Sequence, residues 1–164
     1  MHLSGPSLVL VATGIVGSTW LSGAIISFSI GGAPAAAAMK QSSAKIWAEL
    51  YKRGAASMPK FAIGTSLAYL FAAYDSYRSE GSWGSYLGAA GCVLSIIPFT
   101  LTIMKDVNGQ LHEEALKEDS GEAQVTTIQV EGLLDRWITL NLIRGLLPLA
   151  GTALGCFAFH RDGF

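Results

Sequence analysis

Apolar residues fall into four long runs separated by polar stretches of unequal length, and the runs set the expected architecture. Ser7 to Gly32 is the first, dotted with small residues at Gly14, Gly17, Ser18, Ser22, Gly23 and Ser27. Gly14, Ser18 and Ser22 follow helical spacing and give a smooth face for a second helix to approach closely in lipid. The run has no basic leader and exceeds the apolar length of a signal peptide, so it reads as a retained span. Pro59 opens the second run, 61–78, which carries Tyr69, Phe71, Tyr74 and Tyr77. Tyrosines near a span end are expected as interfacial anchors, with Asp75 at the water boundary. A tight turn at Ser79–Ser82 leads into the third run, 83–104, so the second and third runs are expected to pair antiparallel. Pro98 predicts a kink there, with Thr100 or a neighbouring helix satisfying the freed carbonyl. The fourth run, 137–159, is 23 residues long, enough to cross a bilayer with some tilt.

The stretches between the runs add two elements. In 33–60, Ala44, Ile46, Trp47, Leu50 and Tyr51 recur near helical spacing, with Lys45, Glu49, Lys52 and Arg53 opposite. That pattern predicts a short amphipathic helix, lying either at the membrane surface or against the bundle. The stretch 105–136 is the only strongly charged part, read as a solvated face with a loop around Ser120–Gly121 and a helix over 125–136 that enters the fourth span. The fold class expected is therefore all-α: a single domain over 1–164, an integral membrane four-helix bundle with spans 7–32, 61–78, 83–104 and 137–159 and a short amphipathic helix between the first two.

Composition agrees with a membrane protein. Of 164 residues 51% are hydrophobic and 14% charged, against about 25% charged in a soluble domain. The net charge of −1 offers no basic footprint for nucleic acid. Cys92 and Cys156 both lie in apolar runs and form no CxxC pair, which makes them packing residues, with a disulfide between two helices the lesser alternative. His2, His112 and His160 show no metal-ligand spacing. Lysine and arginine concentrate in the first and third loops (Lys40, Lys45, Lys52, Arg53, Lys60, Lys105, Lys117, Arg136), against Arg78 and Arg161 on the other side. The positive-inside rule then places both termini away from the cytoplasm.

One feature does not suit a simple span. Arg144 sits inside the fourth run, where a guanidinium is unfavourable unless it faces a bundle interior, a wet cavity or a partner. Trp137, Asn141 and Arg144 share a helical face. Either Arg144 snorkels to the headgroups while Asn141 bonds a neighbouring helix, or the stripe lines a functional pocket. Thr100, Met104, Asn108 and Leu111 or His112 form a second face, at the end of the third run. The two faces can meet in a cavity lined by Thr100, Asn108, His112, Trp137, Asn141 and Arg144, open to lipophilic molecules from the leaflet.

With Pro98-Phe99-Thr100, Asn108 with Leu111, and Trp137, Asn141 and Arg144 in this order, the chain resembles the DUF1772 membrane protein family, whose best-known members are anthrone oxygenases of fungal aromatic polyketide pathways. The resemblance implies oxidation of an anthrone, such as emodin anthrone, to the anthraquinone with molecular oxygen. It also implies an endoplasmic-reticulum location. No flavin or nicotinamide motif is present, so no cofactor is expected beyond dioxygen as co-substrate, although iron or copper bound through His112 stays open. The expected partners are a lipophilic aromatic substrate and membrane lipid; the oligomeric state, a homo-oligomer included, is left open. The expected site has His112 as base, because imidazole exchanges protons near neutral pH. Arg144 and Asn141 are expected as oxyanion donors, and Thr100, Met104, Asn108 and Trp137 as substrate-binding residues, with Trp137 stacking on planar rings. Two other classes use the same residues: a non-redox cyclase or isomerase, and a scaffold in which the polar stripe only specifies helix packing.

Overall fold

The computed structural model describes residues 5–120 and 127–163, and all the regular structure among them is helical. The elements are α1 (Gly5–Ser27), a single π-helical turn (Phe28–Gly32), α2 (Ala33–Ala38), α3 (Ser43–Arg78), α4 (Trp83–Leu94), α5 (Ile96–Thr102), α6 (Lys105–Ser120) and α7 (Thr127–Gly163). Among the described residues, three stretches are long and apolar enough to cross a membrane: Gly5–Ala38, Trp83–Thr102 and Ile128–Asp162. The expected second span, 61–78, is helical as part of α3 but is not among these three, since Asp75, Arg78 and its serines and tyrosines dilute its apolar character.

The helix boundaries correct two expectations and locate the break expected at Pro98. The amphipathic segment is not a separate short helix: α3 runs unbroken for 36 residues with Pro59 inside it. A proline removes one backbone hydrogen bond and typically destabilises a helix interior by roughly 3 kcal/mol, so packing on both sides of Pro59 must hold the helix together. The break expected at Pro98 is a single residue: α4 ends at Leu94, whose carbonyl Pro98 cannot bond, and Ser95 keeps a helical backbone into α5. There Ser95 Oγ donates to Cys92 O at 2.6 Å and Thr102 Oγ1 to Pro98 O at 2.7 Å. The charged stretch begins as a full helix, α6, whose Val107, Asn108, Leu111, Glu114 and Ala115 are buried. The loop expected around Ser120–Gly121 falls on 121–126, outside the described residues.

The chain divides into two compact units. One comprises Met1–Gly23, Met58–Ile97 and Gly145–Phe164. Tyr69 is fully buried at its centre, not anchored at an interface, while Tyr74 and Tyr77 are exposed. Its hydroxyl lies 3.0 Å from Ser18 Oγ, which is 2.8 Å from Thr152 Oγ1. Glycine is required beside this ring: a Cβ on Gly14 would stand 2.7 Å from Tyr69 Cε1, and one on Gly155 2.5 Å from Tyr69 Oη. Asp75 is held by Ser7 Oγ. Asp162 accepts from Ser76 Oγ at 2.7 Å and from the Ser82 amide at 2.9 Å, closing the turn into α4.

The other unit comprises Ala24–Ser57 and Pro98–Arg144. Its core is formed by Ala33 and Ala36 of α2, Ala44 and Trp47 of α3, Met104, Val107 and Leu111, and Leu134 and Trp137 of α7. Glu118 of α6 caps the start of α3, accepting from the Ala44 amide at 3.2 Å and the Lys45 amide at 2.9 Å. A carboxylate there satisfies two otherwise orphaned amides and faces the positive end of the helix dipole.

Candidate functional site

All seven residues singled out from the sequence lie in this second unit, because the α6 face and the first half of α7 pack on α3 and the end of α1. Six of them separate into two hydrogen-bonded sets and an aromatic group, and the seventh, Met104, is a core residue.

The first set runs along α7. Arg144 Nη1 donates to Thr100 Oγ1 at 2.7 Å, and Nη2 to Asn141 Oδ1 at 2.5 Å. Asn141, fully buried, donates through Nδ2 to Ile25 O at 2.8 Å and to Ser29 Oγ at 2.7 Å. An amide has two N–H donors, and both are committed here. Asn141 thus clamps α7 to the end of α1 and aims Arg144; neither of its donors is left for a ligand. Ile25 and Ser29, its acceptors, carried no signal in the sequence beyond their place in an apolar run. The guanidinium has no carboxylate partner among the described residues, and its Nε is buried without an acceptor. A buried donor left so typically costs about 1–3 kcal/mol.

The second set joins α6 to α7. Trp137 Nε1 donates to Asn108 Oδ1 at 3.1 Å, and both side chains are buried. Met104 is also fully buried, one of the core residues.

The aromatic group is built on Trp47, which sequence reasoning placed only on the apolar face of a helix. Its ring stacks on Tyr51 (centroids 5.2 Å apart, planes at 29°) and meets the edges of His112 at 5.0 Å and Trp137 at 5.9 Å. Tyr51 and His112 contact each other edge-on at 5.1 Å. Trp47 and Tyr51 are one helical turn apart, the spacing that lets both side chains lie on one face. Trp47 Nε1 is buried without an acceptor.

Tyr51 and His112 open onto a groove of about 710 Å³ between α3 and α6, within the size range of small-molecule sites. Its walls are Ala48, Ala55, Ala115 and Leu116, and its rim carries Lys45, Glu49, Lys52 and Asp119. Of the six residues expected to line one cavity, only His112 lines this groove; Trp137 lies behind Trp47, and Arg144 with Asn141 and Thr100 forms its own chain. At one end Lys45 Nζ bonds Asp119 Oδ1 at 2.5 Å. That hydrogen bond and charge pairing hold the Asp119 carboxyl below its ordinary value and the Lys45 ammonium above its own. Among the described residues no group of three or more His, Cys, Asp or Glu could hold a metal ion, and the ring neighbours of His112 are Trp47 and Tyr51.

Residues 47–154 match the family model described as anthrone oxygenase, a span that takes in the residues of the two hydrogen-bonded sets, the aromatic group and the groove except Ile25, Ser29 and Lys45. The chain is 33% identical to anthrone oxygenase encC of Aspergillus fumigatus over 162 residues, 88% of each chain. It is 30% identical to monooxygenase hypC of Dothistroma septosporum, covering 92% of this chain and 80% of that one. It is 25% identical to noranthrone monooxygenase of Aspergillus flavus, covering 92% and 71%. No solved structure gives a significant match. With that family match and 71–88% of each of these relatives covered, the chain belongs to the anthrone oxygenase family.

Proposed function

We propose that this protein is a membrane-embedded oxygenase of secondary metabolism that converts an anthrone-type polyketide to its anthraquinone with molecular oxygen. The observation that carries the proposal is a groove of substrate size presenting an imidazole, His112, beside a phenol, Tyr51, in a chain whose relatives bear the names anthrone oxygenase and noranthrone monooxygenase. The lipophilic substrate reaches the groove from the membrane, which the chain crosses with four spans, 61–78 being the fourth beside the three apolar ones. By the distribution of lysine and arginine both termini face away from the cytoplasm; the membrane is that of the endoplasmic reticulum.

The chemistry balances without an organic redox cofactor. His112 removes one proton from the central methylene, leaving an enolate whose charge spreads to the ring oxygen. The enolate carbon bonds dioxygen and the resulting peroxide takes up a proton. The second methylene C–H breaks as the O–O bond breaks, leaving a C=O and releasing water. The carbon gives four electrons and dioxygen accepts four. Tyr51 and the small apolar walls hold the flat rings and exclude water from the enolate.

A scaffold role is favoured for Asn108, Trp137 and Asn141 only, because their hydrogen bonds are spent on helix packing. The test is turnover of emodin anthrone under ¹⁸O₂ by the protein in lipid. The proposal expects one labelled oxygen in the quinone and one in water, at a rate above the spontaneous oxidation and lost in His112→Gln. Turnover equal to the spontaneous rate by folded protein would refute it.

A further inference from the structure

Tyr51 is an unused hydrogen-bonding group in a closely packed aromatic neighbourhood. Its ring is fixed on one side by Trp47 and edge-on by His112, and it lines the groove. Among the described residues its hydroxyl bonds to nothing. One more donor beside it also lacks an acceptor: Trp47 Nε1, on the ring stacked against it. Buried N–H groups without partners are rare in folded proteins. A phenol O–H lining the groove beside an unpartnered indole N–H describes a place where an oxygen bearing negative charge belongs.

The geometry points to Tyr51 as a catalytic residue that hydrogen-bonds the ketone oxygen of the substrate and stabilises it as the enolate oxyanion. Trp47 is a positioning residue that holds the Tyr51 ring by stacking on it. The assignment rests on the oxygenase reading, since it supplies what proton removal by His112 requires: a methylene proton is acidic only if the charge it leaves reaches a stabilised oxygen. No proton is transferred by Tyr51. Its O–H stays intact, and the hydrogen bond strengthens as the ketone becomes an enolate, so the effect is larger in the transition state than in the bound ketone.

The test uses the full chain in lipid with two ligands. 10,10-Dimethylanthrone has the ketone and no removable methylene proton, so its binding, read by tryptophan quenching, reports the donor alone. Tyr51→Phe keeps the ring and its stack. It should weaken that binding roughly threefold to tenfold, the loss of one neutral hydrogen bond. With emodin anthrone it should lower kcat about 100-fold, the size seen for single oxyanion donors, with KM changing far less. Trp47→Phe is read by the same two assays and should lower kcat more than it raises KM. Tyr51→Phe that binds dimethylanthrone and turns over emodin anthrone as the wild type does would overturn the assignment, as would a wild type that binds no dimethylanthrone. If the wild type binds the ketone through Tyr51 yet oxidises no anthrone, the donor assignment stands and the oxygenase reading fails.

Discussion

Replacing Asn141 by Leu separates a clamp from a catalytic donor. The side chains are close in volume, so little cavity forms, and three hydrogen bonds are lost: those to Ile25 O and Ser29 Oγ and the one from Arg144 Nη2. In water the two neutral bonds would contribute about 0.5–1.5 kcal/mol each and the charged one about 1.5–3. In membranes such bonds average nearer 0.6 kcal/mol, which sets a floor of about 2 kcal/mol for the three. The substitution also strands Arg144 Nη2 and two helix-end acceptors. Asn141→Leu should therefore destabilise the protein by about 2–6 kcal/mol, measured as the shift in unfolding midpoint in mixed detergent micelles. The fraction that remains folded should bind 10,10-dimethylanthrone normally. A variant as stable as the wild type but defective in ketone binding would refute the clamp and return Asn141 to the substrate.

His112→Gln should behave in the opposite way, lowering kcat by roughly 10²–10⁴ while the unfolding midpoint stays within error; a large loss of stability with normal specific activity would contradict it. Asp119 should titrate below its ordinary 3.8 because of Lys45, and carboxyl NMR should show that titration rise towards 3.8 in Lys45→Met. By linkage, the pair holds α3 to α6 fully above about 3.8 and loses that hold as pH falls through the lowered value; on the alkaline side, with Lys45 raised above 10.5, the hold is full below 10.5 and is lost as pH rises further. An Asp119 titration indifferent to Lys45→Met would show that the pair does not form. Gly155→Ala would place a Cβ 2.5 Å from Tyr69 Oη, and should destabilise by about 1–3 kcal/mol through overpacking; a neutral result in the same unfolding assay would mean that Tyr69 can move aside.

The sequence was most informative where spacing and chemistry coincide. Trp137, Asn141 and Arg144 share a face as their spacing required, and Thr100 and Asn108 are the groups to which Arg144 and Trp137 bond. What spacing could not convey is the partner. The apolar face of Trp47 and Tyr51 looks the same whether it meets lipid or another helix, and in the structure it meets α6 and α7. The charges of α6 hid a buried stripe at Val107, Leu111 and Ala115, because acids stand on every face of the helix and Glu114 is buried within the stripe itself. Tyr69 resembles the exposed tyrosines near it in sequence, and only the glycines at 14 and 155, far away in the chain, make room for it. Pro59 reads locally as a helix start, but packing along α3 overrides it.

The account depends on the groove at His112 and Tyr51 being where an anthrone meets oxygen. The direct measurement is oxygen uptake with emodin anthrone by the purified, metal-analysed protein in lipid, beside His112→Gln, each corrected for spontaneous oxidation. The account predicts one dioxygen consumed per anthraquinone formed by the wild type, and uptake by folded His112→Gln reduced to near background. Equal uptake by both proteins, or none by either, would contradict it.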